Sequence, residues 1–239
     1  MKRYLTLAAS AAIFAAFPLA AQTTAAEKER KEYPSPPEIV AKAKAEEWVA
    51  IAPADLMVMD LAPDAKGKAR RVVIQLMPPP FSQGWVGNIR KLAAAKWWDG
   101  TSINRVQDNY VVQWGDATEK KALPEELAVV PESGYTIANR QLSFGWERDG
   151  SGFHGDSGEL IKPYGADPYA AVTGFELGWP IASYRDSLTA PTHCYGMVGV
   201  GRDLSPNTGS GAELYVVIGH APRHLDRNIA LVGRVVEGI

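Results

Sequence analysis

Apolar positions along this chain fall into short runs separated by turn-forming residues. Leu56-Met57-Val58-Met59-Asp60-Leu61 and Arg71-Val72-Val73-Ile74-Gln75-Leu76 each read as a strand. Pro63-Asp64-Ala65-Lys66-Gly67 between them reads as a turn, so the two runs predict a hairpin with a long loop. After Pro78-Pro79-Pro80, Ser82 is placed to cap a helix running to about Ala95. Trp85, Val86, Ile89, Leu92 and Ala93 share one face of that helix. Asp99-Gly100 closes it with a turn. Ser102 to Val106, Tyr110 to Trp114, Leu214 to Ile218 and Ala230 to Val236 are four further predicted strands. Upstream, Ser35-Pro36-Pro37 offers a helix start, and the Ala/Lys/Glu-rich run from Glu38 to Trp48 predicts a short surface helix. There is no internal repeat and no heptad.

Two segments depart from this pattern. Residues 1–21 have the layout of a secretory signal peptide: Lys2 and Arg3, an apolar Ala-rich run from Tyr4 to Phe17, then Pro18-Leu19-Ala20-Ala21. Cleavage is expected after Ala21, with Ala26 as the alternative. The competing reading is an uncleaved anchor, for which the apolar run is short. No Arg-Arg pair precedes the run, so the signal is Sec-like, and an exported, periplasmic protein is expected without stable membrane insertion. Residues 117–192 show no clean period but are rich in Gly and aromatics, including Tyr135, Phe144, Trp146, Tyr164, Phe175, Trp179 and Tyr184. Aromatic content of this kind argues for a packed insertion rather than disorder. The expected organisation is a signal peptide at 1–21, a tether and short helix at 22–54, and one domain at 55–239 carrying the insertion at 117–192.

Charge and cysteine content narrow the chemistry. Lys plus Arg number 25 and Asp plus Glu 27, a net charge of −2. That balance supplies no electrostatic basis for binding nucleic acid or an anionic membrane. The single cysteine, Cys194, excludes an intrachain disulfide, a thiolate zinc site and an iron–sulfur cluster. Gly155-Asp156-Ser157-Gly158 matches the nucleophile string of chymotrypsin-like proteases, but a Gly-rich turn explains it better. None of the four histidines (His154, His193, His220 and His224) lies upstream of it to serve as general base. His220 and His224 are four apart, yet Pro222 between them breaks the helix a two-histidine metal site needs. No metal or cofactor is expected.

Three separated blocks carry a stronger signal. Residues 100–116 read Gly-Thr-Ser-Ile-Asn-Arg-Val-Gln-Asp-Asn-Tyr-Val-Val-Gln-Trp-Gly-Asp. Residues 193–218 hold His193, Gly196-Met197-Val198-Gly199, Pro206-Asn207-Thr208 and Gly211-Ala-Glu-Leu-Tyr-Val-Val-Ile218. Residues 225–238 hold Leu225-Asp226 and Val232-Gly233-Arg234-Val235-Val236-Glu237-Gly238. In this order they resemble the cyclophilin-type peptidyl-prolyl cis-trans isomerases, and Arg-Val-Gln-Asp-Asn-Tyr-Val and Leu-Asp-Arg-Asn resemble the bacterial exported branch. Asn88-Ile89 fits the family's first helix. The resemblance covers roughly 55–116 and 193–239. It implies a mostly β fold, a closed antiparallel eight-stranded barrel capped by helices, with the active groove on its outer surface. The family normally continues with a helix and a last strand where this sequence reaches Ile239, so the expectation is either a fragment or a barrel closed differently.

The resemblance also implies site residues. Arg105 matches the catalytic arginine and Gln113 the residue that orients it. Tyr110, Val111, Tyr215 and Leu225 match the proline pocket. Gly201 and Arg202 fall where backbone meets the substrate chain, and Glu213 and His224 complete the groove. Strand parity agrees with this mapping: Leu214, Val216 and Ile218 share one face, Glu213 and Tyr215 the other, and Val111 shares a face with Gln113. The sequence departs from the family pattern at Asn104 (usually His), Tyr110 and Tyr215 (Phe), Val111 (Met), Glu213 (Gln), His224 (Trp) and Ile229 (His). Glu213 brings a carboxylate into the groove, where pairing with Arg105 would either position or restrain the guanidinium. The implied activity is isomerisation of X-Pro bonds in proline-containing polypeptide clients. A cyclophilin-like peptide-binding chaperone with little turnover is the alternative.

Overall fold

The computed structural model describes residues 33–118, 120–139, 147–149, 152–154 and 167–239. The expected signal peptide, residues 22–32 of the tether, and the Gly155–Gly158 string lie outside the described residues.

Residues 33–49 form a unit of their own. Here Pro36–Lys42 is a short helix, α1, and Ala45–Glu47 a 3-10 turn, so the expected helix over Glu38–Trp48 is split after Lys42. The Glu38 carboxylate accepts from the Ser35 N–H at 2.7 Å and from the Ser35 hydroxyl at 2.6 Å, which fixes the helix start.

In residues 50–239 the fold is mostly β, as expected. A seven-stranded antiparallel sheet contains β1 (Leu56–Leu61), β2 (Arg70–Leu76), β3 (Ser102–Gln107), β4 (Val111–Gly115), β11 (Met197–Val200), β12 (Leu214–Val217) and β13 (Leu231–Glu237). Their order across the sheet is β1-β2-β13-β11-β12-β4-β3. β1 and β2 form the predicted hairpin, with the Asp64 carboxylate bonding the Lys66 and Lys68 N–H groups in its turn. The sheet curls until its two edges, β1 and β3, line opposite sides of one cleft of about 610 Å³, floored by Trp98 and Trp114. β11, rich in small and apolar residues, was not anticipated as a strand; all four of its residues are buried.

The second helix of the chain, α2, covers Gln83–Ala94 and buries Trp85, Val86, Asn88, Ile89 and Leu92. Ala93, expected on that face, is exposed. Ser82 occupies the cap position in the left-handed region and makes no side-chain cap. Gln83 instead secures the entry, its amide donating to the Met77 and Phe81 carbonyls. Trp85 donates to the carbonyls of Thr208 and Gly209, and Asn88 bonds Ala128 through both N–H and carbonyl and also the Ser210 carbonyl. The helix thereby sets the height of the 207–212 loop, which leads directly into β12.

The aperiodic segment packs. Its described part holds β5 (Ile137–Ala138), β8 (Val172–Glu176), β9 (Trp179–Ser183) and β10 (Leu188–Pro191), a four-stranded sheet of order β5-β10-β9-β8. β6 (Glu147–Asp149) and β7 (Gly152–His154) form a two-stranded ladder. Tyr135, Ile137, Val172, Trp179 and Ile181 join one apolar core with Ile74, Met197, Leu214 and Leu231 of the larger sheet. Arg234 clamps the two sheets, bonding Gln75 and the Gly178 carbonyl while lying 4.3 Å over the Trp179 ring. Of the described aromatics of this segment, Tyr135, Trp179 and Tyr184 are buried, whereas Tyr169 and Phe175 are more than half exposed.

Candidate functional site

Strand register places the expected site residues in one row. Arg105 of β3 pairs with Gln113 of β4, Gln113 with Tyr215 of β12, and Tyr215 with Gly199 of β11. Cα partners in an antiparallel pair share a face, so the row projects to one side of the sheet. A bulge between Ile103 and Arg105 resets the phase of β3, which puts Arg105 rather than Asn104 in register with Gln113. Parity behaves as the sequence predicts: Leu214 and Val216 enter the main core, while Tyr215 and Val217 form a separate cluster with Val111, against which Tyr110 and Ile229 pack.

The row grades from exposed to buried. β3 is a solvent-exposed edge strand, and the Arg105 guanidinium bonds Gln107 Oε1 at 2.5 Å and lies 5.8 Å from the Tyr110 ring centre. Tyr110 also stands parallel to His224, with ring centres 6.3 Å apart. Tyr110 and His224 thus form a stacked pair, with Tyr110 packed against the Val111–Tyr215 cluster and Leu225 following His224 on the same 3-10 turn. Glu213 does not engage Arg105. Its carboxylate accepts from Asn104 Nδ2 at 3.2 Å and lies against the bare Cα of Gly115, where a Cβ would come within 1.8 Å of it. The guanidinium therefore has Gln107 rather than Glu213 as its hydrogen-bond partner. Gln113 reaches over Gly201. The Gly201 N–H donates to the Glu213 carbonyl at 2.8 Å, so that amide serves the sheet. Arg202 is tied back to Asn228 and to the Asp203 carbonyl. Beyond Gln113 the surface opens into a second hollow of about 380 Å³, lined in part by Trp97, Lys121, Arg202 and Glu213.

Below the row runs a buried polar chain. Tyr215 is 5% exposed, and its hydroxyl lies 2.8 Å from His193 Nε2. His193 Nδ1 lies 2.8 Å from Asp226 Oδ1, which also accepts the His193 backbone N–H at 2.9 Å. Asp226 Oδ2 accepts from Arg223 Nε, and Arg223 Nη1 donates to Asp167 at 2.6 Å. Burial pushes the Tyr215 phenol well above its ordinary range and pulls His193 below its own, against the attraction of Asp226. Burial also opposes the charge on Arg223, yet its bonds to Asp226 and Asp167 hold its pKa above the usual value. Asp226 Oδ1 accepts from Nδ1, so neutral His193 carries its proton there and Nε2 accepts from the tyrosine.

The structure thus brings Arg105, Gln113, Tyr110, Val111, Tyr215 and His224 together, with Gly201, Arg202 and Glu213 along their continuation; no contact of Leu225 with them is seen among the described residues. Sequence reasoning passed over Gln107, although residues two apart on a strand share a face and Arg105 already marked it. It also passed over Asn104 as the partner of Glu213, and over the roles of His193, Asp226 and Gly199. A buried polar chain crossing four segments leaves no local pattern.

The row thus runs from a guanidinium on an exposed edge strand to a buried cluster of Val111, Tyr215 and Val217, and no group of residues that could hold a metal ion occurs among the described residues. Comparison with known proteins gives the family. The family model described as cyclophilin type peptidyl-prolyl cis-trans isomerase/CLD matches residues 68–239, most of the chain and all of the groove. No curated protein sequence matches the chain. Among solved structures, the cyclophilin AquaCyp293 from Hirschia baltica is similar at 24% identity and a TM-score of 0.58, over 82% of this chain and 72% of that one. A Cryptosporidium parvum cyclophilin-type isomerase, crystallised in the presence of the dipeptide Ala-Pro, matches at 11% identity and a TM-score of 0.39, over 76% of this chain and 79% of that one. With the family model spanning the whole row from Arg105 to Gly199, the chain belongs to the cyclophilin-type peptidyl-prolyl cis-trans isomerases.

Proposed function

We propose that Arg105 is the catalytic group of this isomerase and that its substrates are X-Pro segments of exported polypeptides. The observation that supports the reading is the Arg105–Gln113–Tyr215 row, a guanidinium in register with an amide and a tyrosine of the Val111–Tyr215–Val217 cluster. Rotation about a peptide bond is resisted by about 18–20 kcal/mol, because the nitrogen lone pair is conjugated with the carbonyl. In the twisted state that lone pair is localised on nitrogen and accepts a hydrogen bond. A donor aimed at the nitrogen therefore bonds the transition state more strongly than either planar state, and this difference is what accelerates the reaction. Arginine suits the task because its charge is permanent and its fork is rigid. Val111, Tyr215 and Leu225 would hold the proline ring, Tyr110 and His224 would wall it, and Gln113 would fix the flanking carbonyl against the groove. For the donation to occur, the guanidinium must exchange its bond to Gln107 for the prolyl nitrogen, a short swing on an exposed edge strand.

Cis/trans exchange in a proline peptide, followed by NMR with wild type and Arg105→Ala side by side, tests this. Accelerated exchange lost at least a hundredfold in Arg105→Ala supports the assignment; an equal rate in the variant overturns it. The exported setting rests on the Lys2-Arg3 start, the apolar run and the small residues before Ala21. Expression of the full chain in a Gram-negative host, followed by N-terminal sequencing of the periplasmic fraction, should give a start at Gln22 or Glu27. Recovery only as uncleaved cytoplasmic protein overturns that part.

A further inference from the structure

The groove's two halves come from distant parts of the chain. Its floor is Tyr215, in the centre of the sheet. Its wall includes His224, carried on the 3-10 turn Arg223–Leu225. Both halves converge on one buried carboxylate. We propose that Asp226 is the positioning residue of the proline groove, its Oδ1 holding the floor through His193 and Tyr215 and its Oδ2 holding the wall through Arg223. This inference rests on the groove being the substrate site.

The geometry is divided between the two oxygens. Oδ1 accepts twice from His193, at 2.8 Å from Nδ1 and 2.9 Å from the backbone N–H. These two contacts fix both the place of the histidine and the tautomer that leaves Nε2 free to accept from Tyr215 Oη at 2.8 Å. Oδ2 takes Arg223 Nε, while the Asp226 N–H closes the turn on the Arg223 carbonyl at 3.0 Å. Arg223 is held from its far side by Asp167 and lies 5.7 Å from the Tyr169 ring centre. The turn is therefore anchored on both flanks, which sets the His224 ring parallel to Tyr110. His193 is wholly buried and the Asp226 side chain is 2% exposed, so water does not compete for these bonds. Packing alone does not require such a chain, because apolar residues of similar volume commonly stabilise a core as well as a buried ion pair does. What apolar residues would not supply is a direction for the Tyr215 ring. The ring has room to lie in that direction because Gly199 beneath it has no Cβ.

The test uses the full chain with Asp226→Asn, Tyr215→Phe and the double variant. Three quantities are read on each: kcat/KM for proline-peptide exchange, peptide Kd, and the ¹⁵N signals of the His193 ring, with amide dispersion reporting the fold. The expected wild-type signature is a protonated Nδ1 and an unprotonated Nε2, lost in Asp226→Asn. Asp226→Asn should lower kcat/KM at least tenfold while remaining folded. Tyr215→Phe should cost at least threefold on the wild-type background and less than 1.5-fold on the Asp226→Asn background, since its support is already gone. An Nε2-protonated wild type, an Asp226→Asn variant within twofold of wild type, or equal Tyr215→Phe costs on both backgrounds overturns the proposal. If Asp226→Asn does not fold, Tyr215→Phe alone decides, and unchanged activity with unchanged His193 signals overturns it. If Arg105→Ala retains full exchange, the catalytic assignment fails, while the same non-additivity read in peptide Kd still tests the role of Asp226.

Discussion

Gly199→Ala isolates the floor of the groove in a single methyl group. The φ of Gly199 lies outside the left-handed region, so alanine incurs no backbone strain there. Its Cβ, however, would fall 2.3 Å from both Cζ and Oη of Tyr215 and 2.8 Å from Cε1. The ring cannot yield along its own plane, because Val111 and Val217 pack beside it and its hydroxyl is committed to His193. Overpacking of this type costs about 1–3 kcal/mol. Displacing the ring also parts the buried Tyr215–His193 bond, worth about 1–3 kcal/mol when a partner is left unsatisfied. Against this, replacing Gly restricts the unfolded chain and stabilises by about 0.4–1 kcal/mol. The expected net loss is about 1–5 kcal/mol, or a fall in melting temperature of roughly 2–20 °C for a chain of this size. Urea unfolding followed by tryptophan fluorescence measures it, with the slope checked for constancy so that the midpoint reports stability. Gly87→Ala is the control: it sits in α2 with nothing within 4 Å of the added Cβ, and should stabilise by up to about 1 kcal/mol. Gly199→Ala should also lower proline exchange several-fold, because the tilted ring enters the pocket. A Gly199→Ala protein within about 0.5 kcal/mol of wild type and of equal activity would refute the account of the floor.

Three further outcomes follow from the same geometry. Arg105→Ala, which removes an exposed side chain from an edge strand, should leave the urea midpoint within about 0.5 kcal/mol of wild type while abolishing exchange; a large shift in midpoint would mark the arginine as structural. Asn88→Ala strips three bonds that pin residue 128 and the Ser210 loop and should cost about 2–4 kcal/mol by urea unfolding; a loss under 1 kcal/mol would show that the loop is held by other contacts. The pKa of His193 is depressed in the folded protein by burial, with Asp226 opposing and His224 and Arg223 assisting, so the unfolded chain binds the extra proton first. Stability should therefore be full above about pH 6.5 and decline as pH falls from there toward the folded value, by at most about 1.4 kcal/mol per unit. A His193→Gln variant should show a flatter profile between pH 7 and 5, and identical slopes in the two proteins would contradict the depressed value.

The strands of the larger sheet were legible because each carries an apolar run bounded by turn formers, and Leu214–Val217 shows why this succeeds: alternate residues enter different clusters, so parity encodes the fold directly. β11 escaped the same reading because Met197–Val200 is four residues long, carries Gly199 inside it and lies between Gly196 and Gly201, so turn formers obscure the run. The smaller sheet was unreadable for another reason. Its strands are two to five residues long and are separated by loops that break any window, yet Trp179 and Tyr135 enter the common core. Ser82 shows the limit of cap reasoning: the right residue type occupies the cap position in a backbone conformation that turns its hydroxyl away from that role. Parity correctly put Gln113 and Tyr215 on one face of the sheet and Leu214 and Val216 on the other. It did not place the Glu213 carboxylate, because the bulge at Asn104 shifted the neighbour that meets it, and a one-residue shift exchanges which side chain faces the groove.

That bulge also bears on how the site works. Without it, Asn104 would stand opposite Gln113 and Arg105 would point to the other face of β3. With it, Asn104 takes up Glu213 and the guanidinium is freed toward Tyr110 and the pocket. The acidic residue in the groove and the polar residue before the arginine are thus hydrogen-bond partners. The carboxylate that would otherwise hold the cation is occupied by an amide. The site then divides its demands between two kinds of structure. On the proposed role of Arg105, the donor would sit on an exposed edge strand, where a swing away from Gln107 disturbs no core contact. The residues proposed to hold the proline ring would instead rest on a desolvated polar chain and a glycine, where movement breaks buried bonds. A reaction that rotates one bond while its flanks stay fixed calls for that combination: a rigid grip on the ring and a mobile donor at the nitrogen.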